Sequence, residues 1–128
     1  MSTLNVETIQ SISSGPPVFK NSSGTEKGRF VRAFCRLNGT GTASITSDFN
    51  VSGITDHGTG DYTITFANAL PDANYAYTFG HSAPVNTHHC HVSTYTHTPT
   101  AANMRFMIFR DEGSGSRADD SRVCVAIF

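Results

Sequence analysis

The stretch HSAPVNTHHCHVSTYTHT, residues 81–98, holds His81, His88, His89, His91 and His97, five of the chain's six histidines. Its centre, His89-Cys90-His91, opens three kinds of chemistry. On a β-strand His89 and His91 would share one face, about 6.6–7 Å apart, within reach of one metal ion. Two imidazoles are fewer ligands than zinc or iron takes from a protein, so such a site needs a further source. Nucleophilic catalysis fits the same geometry badly, because Cys90 would point away from both rings. The third chemistry is recognition. His81, His88, Tyr95 and His97, set among Thr and Asn, offer flat rings and mixed donors and acceptors that suit weak binding of a glycan or a protein receptor. The pattern favours a polar loop or sheet edge first, a metal site second and catalysis a distant third.

Nothing elsewhere strengthens an enzymatic reading. The chain has no G-x-S-x-G elbow, HExxH pair or phosphate-binding loop. Its carboxylate pairs, Asp111-Glu112 and Asp119-Asp120, fall in a Gly/Ser-rich stretch and read as solvated acidic turns. Candidate catalytic residues are therefore none, and a metal-dependent enzyme is the remotest alternative.

The elements that must position these residues are strands. Sixteen Thr and fourteen Ser stand against three Leu, three Glu and two Lys, so helix formers are scarce while β-branched and turn residues abound. The 128 residues suffice for one core. A net charge of −1, with no run of Lys or Arg, argues against nucleic-acid binding. No apolar run is long enough for a membrane-spanning helix, and MSTLNVETIQ lacks the form of a signal peptide, so a soluble product made in a cytoplasm is expected. Cys35, Cys90 and Cys124, an odd set with no CxxC, are expected to be buried thiols on strands.

Along the chain, residues 1–29 are polar and include SISSGPPVFKNSSGTEKG, which predicts an extended arm with a possible short strand over Leu4–Ile9. Residues 30–128 form the predicted body. Phe30–Leu37 begins it, Asn38-Gly39-Thr40-Gly41 is a hairpin turn, and strands are expected at 42–46 and 49–54, with Phe49 and Val51 facing inward. After the turn Asp56-His57-Gly58-Thr59-Gly60, Asp61–Ala67 alternates, and so does Asn74–Gly80. Met104–Arg110 and Ser121–Phe128 are the last two strands. The apolar ending Val123-Cys124-Val125-Ala126-Ile127-Phe128 predicts a central position. The expected core is Tyr62, Ile64, Phe66, Tyr75, Tyr77, Phe79, Phe106, Ile108, Val123, Val125 and Ile127. Phe30, Phe34, Phe109 and Phe128 are surplus to it and point weakly to subunit contacts. Strands spaced by about 8–12 residues indicate an all-β, antiparallel β-sandwich, a jelly-roll-like knob behind an extended N-terminal arm.

Residues 38–80, NGTGTASITSDFNVSGITDHGTGDYTITFANALPDANYAYTFG, resemble a module found at the C-terminal end of tail-fibre and related virion proteins of tailed bacteriophages, especially those of marine hosts. The "NGTGT" turn, the "FNVSGITDHGTGDYTITF" strand pair and the "LPDANY" turn carry the resemblance. The start "STLNVETIQ…PVFKNSSGTE" and the ending "SRVCVAIF" are similar too. Where the module usually has an aromatic-rich "AWVNF" strand, this chain has AFCRL at Ala33–Leu37. It also lacks a long shaft, which favours a stubby appendage over a full-length fibre.

The resemblance implies a non-catalytic virion protein, most simply a short tail-fibre or appendage subunit acting in host attachment, assembled in the host cytoplasm. A capsid decoration or head-fibre protein that stabilises the head is the alternative. The implied partners are two further copies in a homotrimer, other virion proteins gripping the arm through Leu4, Val6, Ile9, Val18 and Phe19, and a host receptor or glycan. No cofactor is required. A threefold axis would, however, bring three His89/His91 pairs around one ion, as trimeric phage fibres do with His-x-His steps.

Overall fold

The structure, a computed structural model, describes residues 8–10, 17–81, 90–94, 97–110 and 116–128, and only the backbone of Arg29, Cys90, His91, Val92 and Arg110. Every regular element among the described residues is a strand. The chain divides into two compact units, residues 1–31 and 32–128.

The first unit contains a hairpin rather than continuous extended chain. Strands β1 (Val18–Lys20) and β2 (Glu26–Arg29) pair antiparallel, joined by a turn in which Asn21 Oδ1 accepts the Thr25 N–H. Phe19 and Phe30 lie ring to ring at 4.9 Å, yet both stay exposed. Of the predicted strand over Leu4–Ile9, Leu4 and Val6 lie outside the described residues; Ile9 is exposed and in no strand.

The second unit is an all-β sandwich of two antiparallel four-stranded sheets. Strands β3 (Ala33–Asn38), β4 (Ser44–Phe49), β7 (Tyr77–His81) and β10 (Val123–Ile127) form sheet I in the order β4-β3-β10-β7. Strands β5 (Val51–Asp56), β6 (Asp61–Phe66), β8 (Cys90–Ser93) and β9 (Asn103–Arg110) form sheet II in the order β5-β6-β9-β8. Period-2 alternation sends Ala33, Cys35, Leu37, Val123, Val125 and Ile127 inward from sheet I. Tyr62, Ile64, Phe66, Met104, Phe106 and Ile108 meet them from sheet II. Phe79 reaches across to Phe106 at 5.4 Å between ring centroids. Each large apolar side chain so buried stabilises the fold by about 1.5–3 kcal/mol, which makes this layer the main source of stability. As the apolar ending predicts, β10 is central, hydrogen-bonded to β3 on one side and β7 on the other.

Four local expectations need correcting. Phe49 faces out, not in, because the chain changes sheets at Asn50, whose φ of 55° breaks the run between β4 and β5. Asn tolerates that conformation, and its side chain fixes the crossing: Nδ2 donates to the carbonyls of Arg32 and Asn68, while Oδ1 accepts the Asn68 N–H. Tyr77 sits toward the rim of sheet I and is 39% exposed, so it is not core. Cys124 is exposed on the outer face of sheet I, whereas Cys35, one position off its register partner on β3, is buried. Finally, Asp119-Asp120 is no solvated turn, since Asp120 is 1% exposed and Asp119 is bonded inward.

Candidate functional site

Among the described residues, a dense polar cluster lies at one end of the sandwich, where three connections meet: the β3–β4 turn, the β5–β6 turn and residues 116–122 before β10. Asp56 Oδ1 accepts the Gly58 N–H, and the turn passes through Gly58 and Gly60, both at positive φ, before entering β6. Gly60 donates its N–H to Asp119 Oδ1 at 2.7 Å, and its carbonyl accepts from Ile108. A Cβ there would stand 2.7 Å from the carbonyl oxygens of Ala118 and Ile108, so the strands can meet this closely only at a glycine. The Gly39 N–H donates to the Asp120 carbonyl, tying in the third connection.

Tyr62 sits beneath this knot. Its single O–H lies 2.7 Å from Asp119 Oδ1 and 2.9 Å from the Gly39 carbonyl. Burial, reinforced by the hydrogen bond to the Asp119 carboxylate, pushes the phenol well above its usual range and keeps it a donor.

Asp61, the preceding residue, points to the outer face of sheet II and is 1% exposed. Arg105 grips it with a two-point fork, Nε to Oδ1 at 2.8 Å and Nη2 to Oδ2 at 3.0 Å. Arg117 adds Nη1 to Oδ2 at 2.8 Å. The Arg105 hydrogen bond, with the charges of Arg105 and Arg117, holds the Asp61 carboxyl below the ordinary carboxylate range despite its burial. The side chains of Arg105 and Arg117 remain 33% and 42% exposed. Thr63, opposite Arg105 in register, shares its hydroxyl with His57 Nε2 at 2.9 Å.

Of the histidine candidates, only the side chains of His81 and His97 are among the described residues. His81 ends β7 half-buried, with Nδ1 3.4 Å from Asp120 Oδ2; that contact lacks hydrogen-bond geometry, and neither atom has another partner among the described residues. Asp120 Oδ1 accepts the Arg122 N–H. His97 lies in the β8–β9 connection, its backbone bonded to the Thr94 carbonyl and its Nε2 buried without a partner among the described residues. The backbone of His91 pairs with Phe109 across β8 and β9, and its side chain is outside the described residues. His88, His89, Tyr95, Asp111 and Glu112 lie outside them too. Among the described residues no three His, Cys, Asp or Glu side chains converge as a metal site would require. Of the proposed arm anchors, Val18 and Phe19 stand on β1, 43% and 50% exposed.

The outer face of sheet I differs sharply from that of sheet II. Phe34 and Phe49, opposite each other in register, stack at 6.3 Å and stay 38% and 54% exposed. Beside them the small residues Thr78, Gly80, Cys124 and Ala126 floor a shallow hollow of about 340 Å³ with Phe34 and Arg36 on its rim. One outer face is apolar and stepped; the other carries threonines and anchored guanidinium groups.

No protein-family model, curated protein or solved structure matches this chain.

Proposed function

We propose that this chain is a non-catalytic virion protein of a tailed bacteriophage, a short tail-fibre or appendage subunit acting in host attachment. The observation that carries the reading is the apolar outer face of sheet I, where Phe34, stacked on Phe49, borders a hollow of small residues. A contiguous aromatic strip costs a free monomer solubility, and burial between subunits removes that cost. Assembly as a homotrimer through this face leaves sheet II and the knotted end turned outward. The resemblance of residues 38–80 to phage tail-fibre modules supplies the biological setting.

The N-terminal hairpin fits an anchoring role. Two strands alone are marginal in water, and Val18, Phe19 and Phe30 present apolar surface that another virion protein would cover. Cryo-electron microscopy of the intact particle tests the proposal. Density for this chain at the tail, in threefold copies, is the expected result. Density spread over the capsid shell would replace it with the decoration reading, in which the hairpin grips neighbouring capsid subunits.

A further inference from the structure

We infer that Arg105 and Arg117, held by Asp61 on the outer face of sheet II, form a binding site for an anionic group carried on a saccharide. The argument begins with charge. Among the described residues, two guanidinium groups share the one carboxylate of Asp61, so this triad carries a net positive charge. Among the described residues, Asp56 turns its carboxylate to Gly58, and Asp119 turns its own to Gly60 and Tyr62, rather than to either guanidinium. His57 stands close enough to Asp61 to act on its titration, and its Nε2 meets the Thr63 hydroxyl on the same face.

Geometry adds the second strand. An arginine carries five N–H groups in a rigid plane, and the Asp61 fork uses two of Arg105's. The remainder lie on a side chain that is one-third exposed, and Arg117 is more exposed still. Asp61 therefore acts as a positioning residue. It immobilises both planes before any ligand arrives, which lowers the entropic cost of a two-point contact with a carboxylate, sulfate ester or phosphate ester. Around the pair, Thr63 lies opposite Arg105 and Thr55 opposite Thr63 in register, hydroxyls of the kind that bond sugar oxygens. Beside the buried Met107, the register partner of Asp61, the pair sits among hydroxyls and is pre-formed, unlike the aromatic face of sheet I.

The saccharide as carrier rests on the attachment reading; the anion site rests on the cluster alone. Nitrogen-15 NMR of the full chain, observing the arginine Nε–H signals, tests both. The probes are sodium sulfate, trigalacturonate and neutral maltotriose at fixed ionic strength. Shifts of the Arg105 and Arg117 signals with sulfate and trigalacturonate, absent with maltotriose, are expected. Arg117→Gln should weaken trigalacturonate binding by about ten-fold, the loss of one charge-assisted contact, with Arg117→Lys in between. Melting curves establish that both variants fold. Shifts with sulfate alone would overturn the saccharide assignment, and no shift with either anion would overturn the site. Both results are independent of where the chain lies in the particle.

Discussion

Tyr62 and Asp119 are 57 positions apart in sequence, yet the phenol and the carboxylate Oδ1 stand 2.7 Å apart, and the same oxygen takes the Gly60 N–H. This one oxygen joins β6, the β5–β6 turn and the segment leading to β10. It makes the end of the sandwich a unit, so changes to its members should not be additive.

Tyr62→Phe removes the hydroxyl and strips Asp119 and the Gly39 carbonyl of a buried donor, which should cost about 1–3 kcal/mol of stability. Asp119→Ala should cost a similar amount, because it also orphans the Gly60 N–H. The double variant should lose clearly less than the sum of the two. Urea unfolding of the four proteins measures this, and strict additivity would contradict a shared network.

Acid stability should depend on Asp61. Its carboxyl titrates below the ordinary value in the folded chain, chiefly through the Arg105 hydrogen bond. The stabilisation is therefore complete above about pH 4, the ordinary aspartate range, and is lost as pH falls through the depressed folded value. Urea midpoints of the wild type should fall on acidification from pH 5 to about pH 2.5. Asp61→Asn should be less stable at pH 7 and flatter over the acid range, and an unchanged slope in that variant would assign the acid sensitivity to other carboxylates.

The two described cysteines should react at very different rates. Burial, foremost, together with the charge of Asp48, pushes the Cys35 thiol from 9.0 to about 12, so it stays protonated and sealed in the core. Cys124 is exposed in the hollow of sheet I. In a Cys90→Ser background, a thiol-specific chromophore at pH 8 should label one equivalent quickly and a second only on unfolding. Because the folded thiol titrates higher, its contribution to stability is full below about pH 9 and declines as pH rises toward 12. If trimers form through sheet I, labelling of Cys124 should also slow as protein concentration rises.

Charging the aromatic strip should dissolve the proposed trimer without unfolding the chain. Phe34→Asp and Phe49→Asp alter side chains that are 38% and 54% exposed, so each should shift stability by no more than about 1 kcal/mol. Light scattering should then give a mass near 13.8 kDa, against a multiple of it for the wild type. A monomer mass for the wild type would contradict assembly, and the same multiple in all three would place the subunit contact on another face.

The fold was legible because strand patterns are local. Asp61–Phe66 and Val123–Ile127 alternate in plain sight, and Asn38-Gly39 and Asp56–Gly60 announce turns whose Asx and glycine geometry the structure contains. Phe49 was misplaced because a single asparagine at positive φ moves the chain between sheets, and no periodicity rule registers one residue. The polar knot was illegible for another reason. Its members, Gly39, Gly60, Tyr62 and Asp119, are joined by long-range contacts, and in a Gly/Ser-rich stretch Asp119-Asp120 has the composition of solvent-facing chain. The one local trace was the alternation itself, which sets Asp61 on the outer face two positions from Thr63. Nothing nearby in sequence names its partners, Arg105 and Arg117.

The place of β10 has a consequence for how the molecule is made. Its neighbours β3 and β7 are both synthesised earlier, and each shows a bare edge until Val123–Ile127 slides between them. A ribosome therefore releases most of the sandwich before sheet I can close. Folding must wait for that late, sequence-distant insertion, which belongs to the slow class of topologies. During the wait, the nascent chain carries two unpaired strands that invite pairing with a neighbouring chain on the same messenger. If the chain joins its own copies as proposed, the interval in which misassembly threatens is also the interval in which siblings are closest.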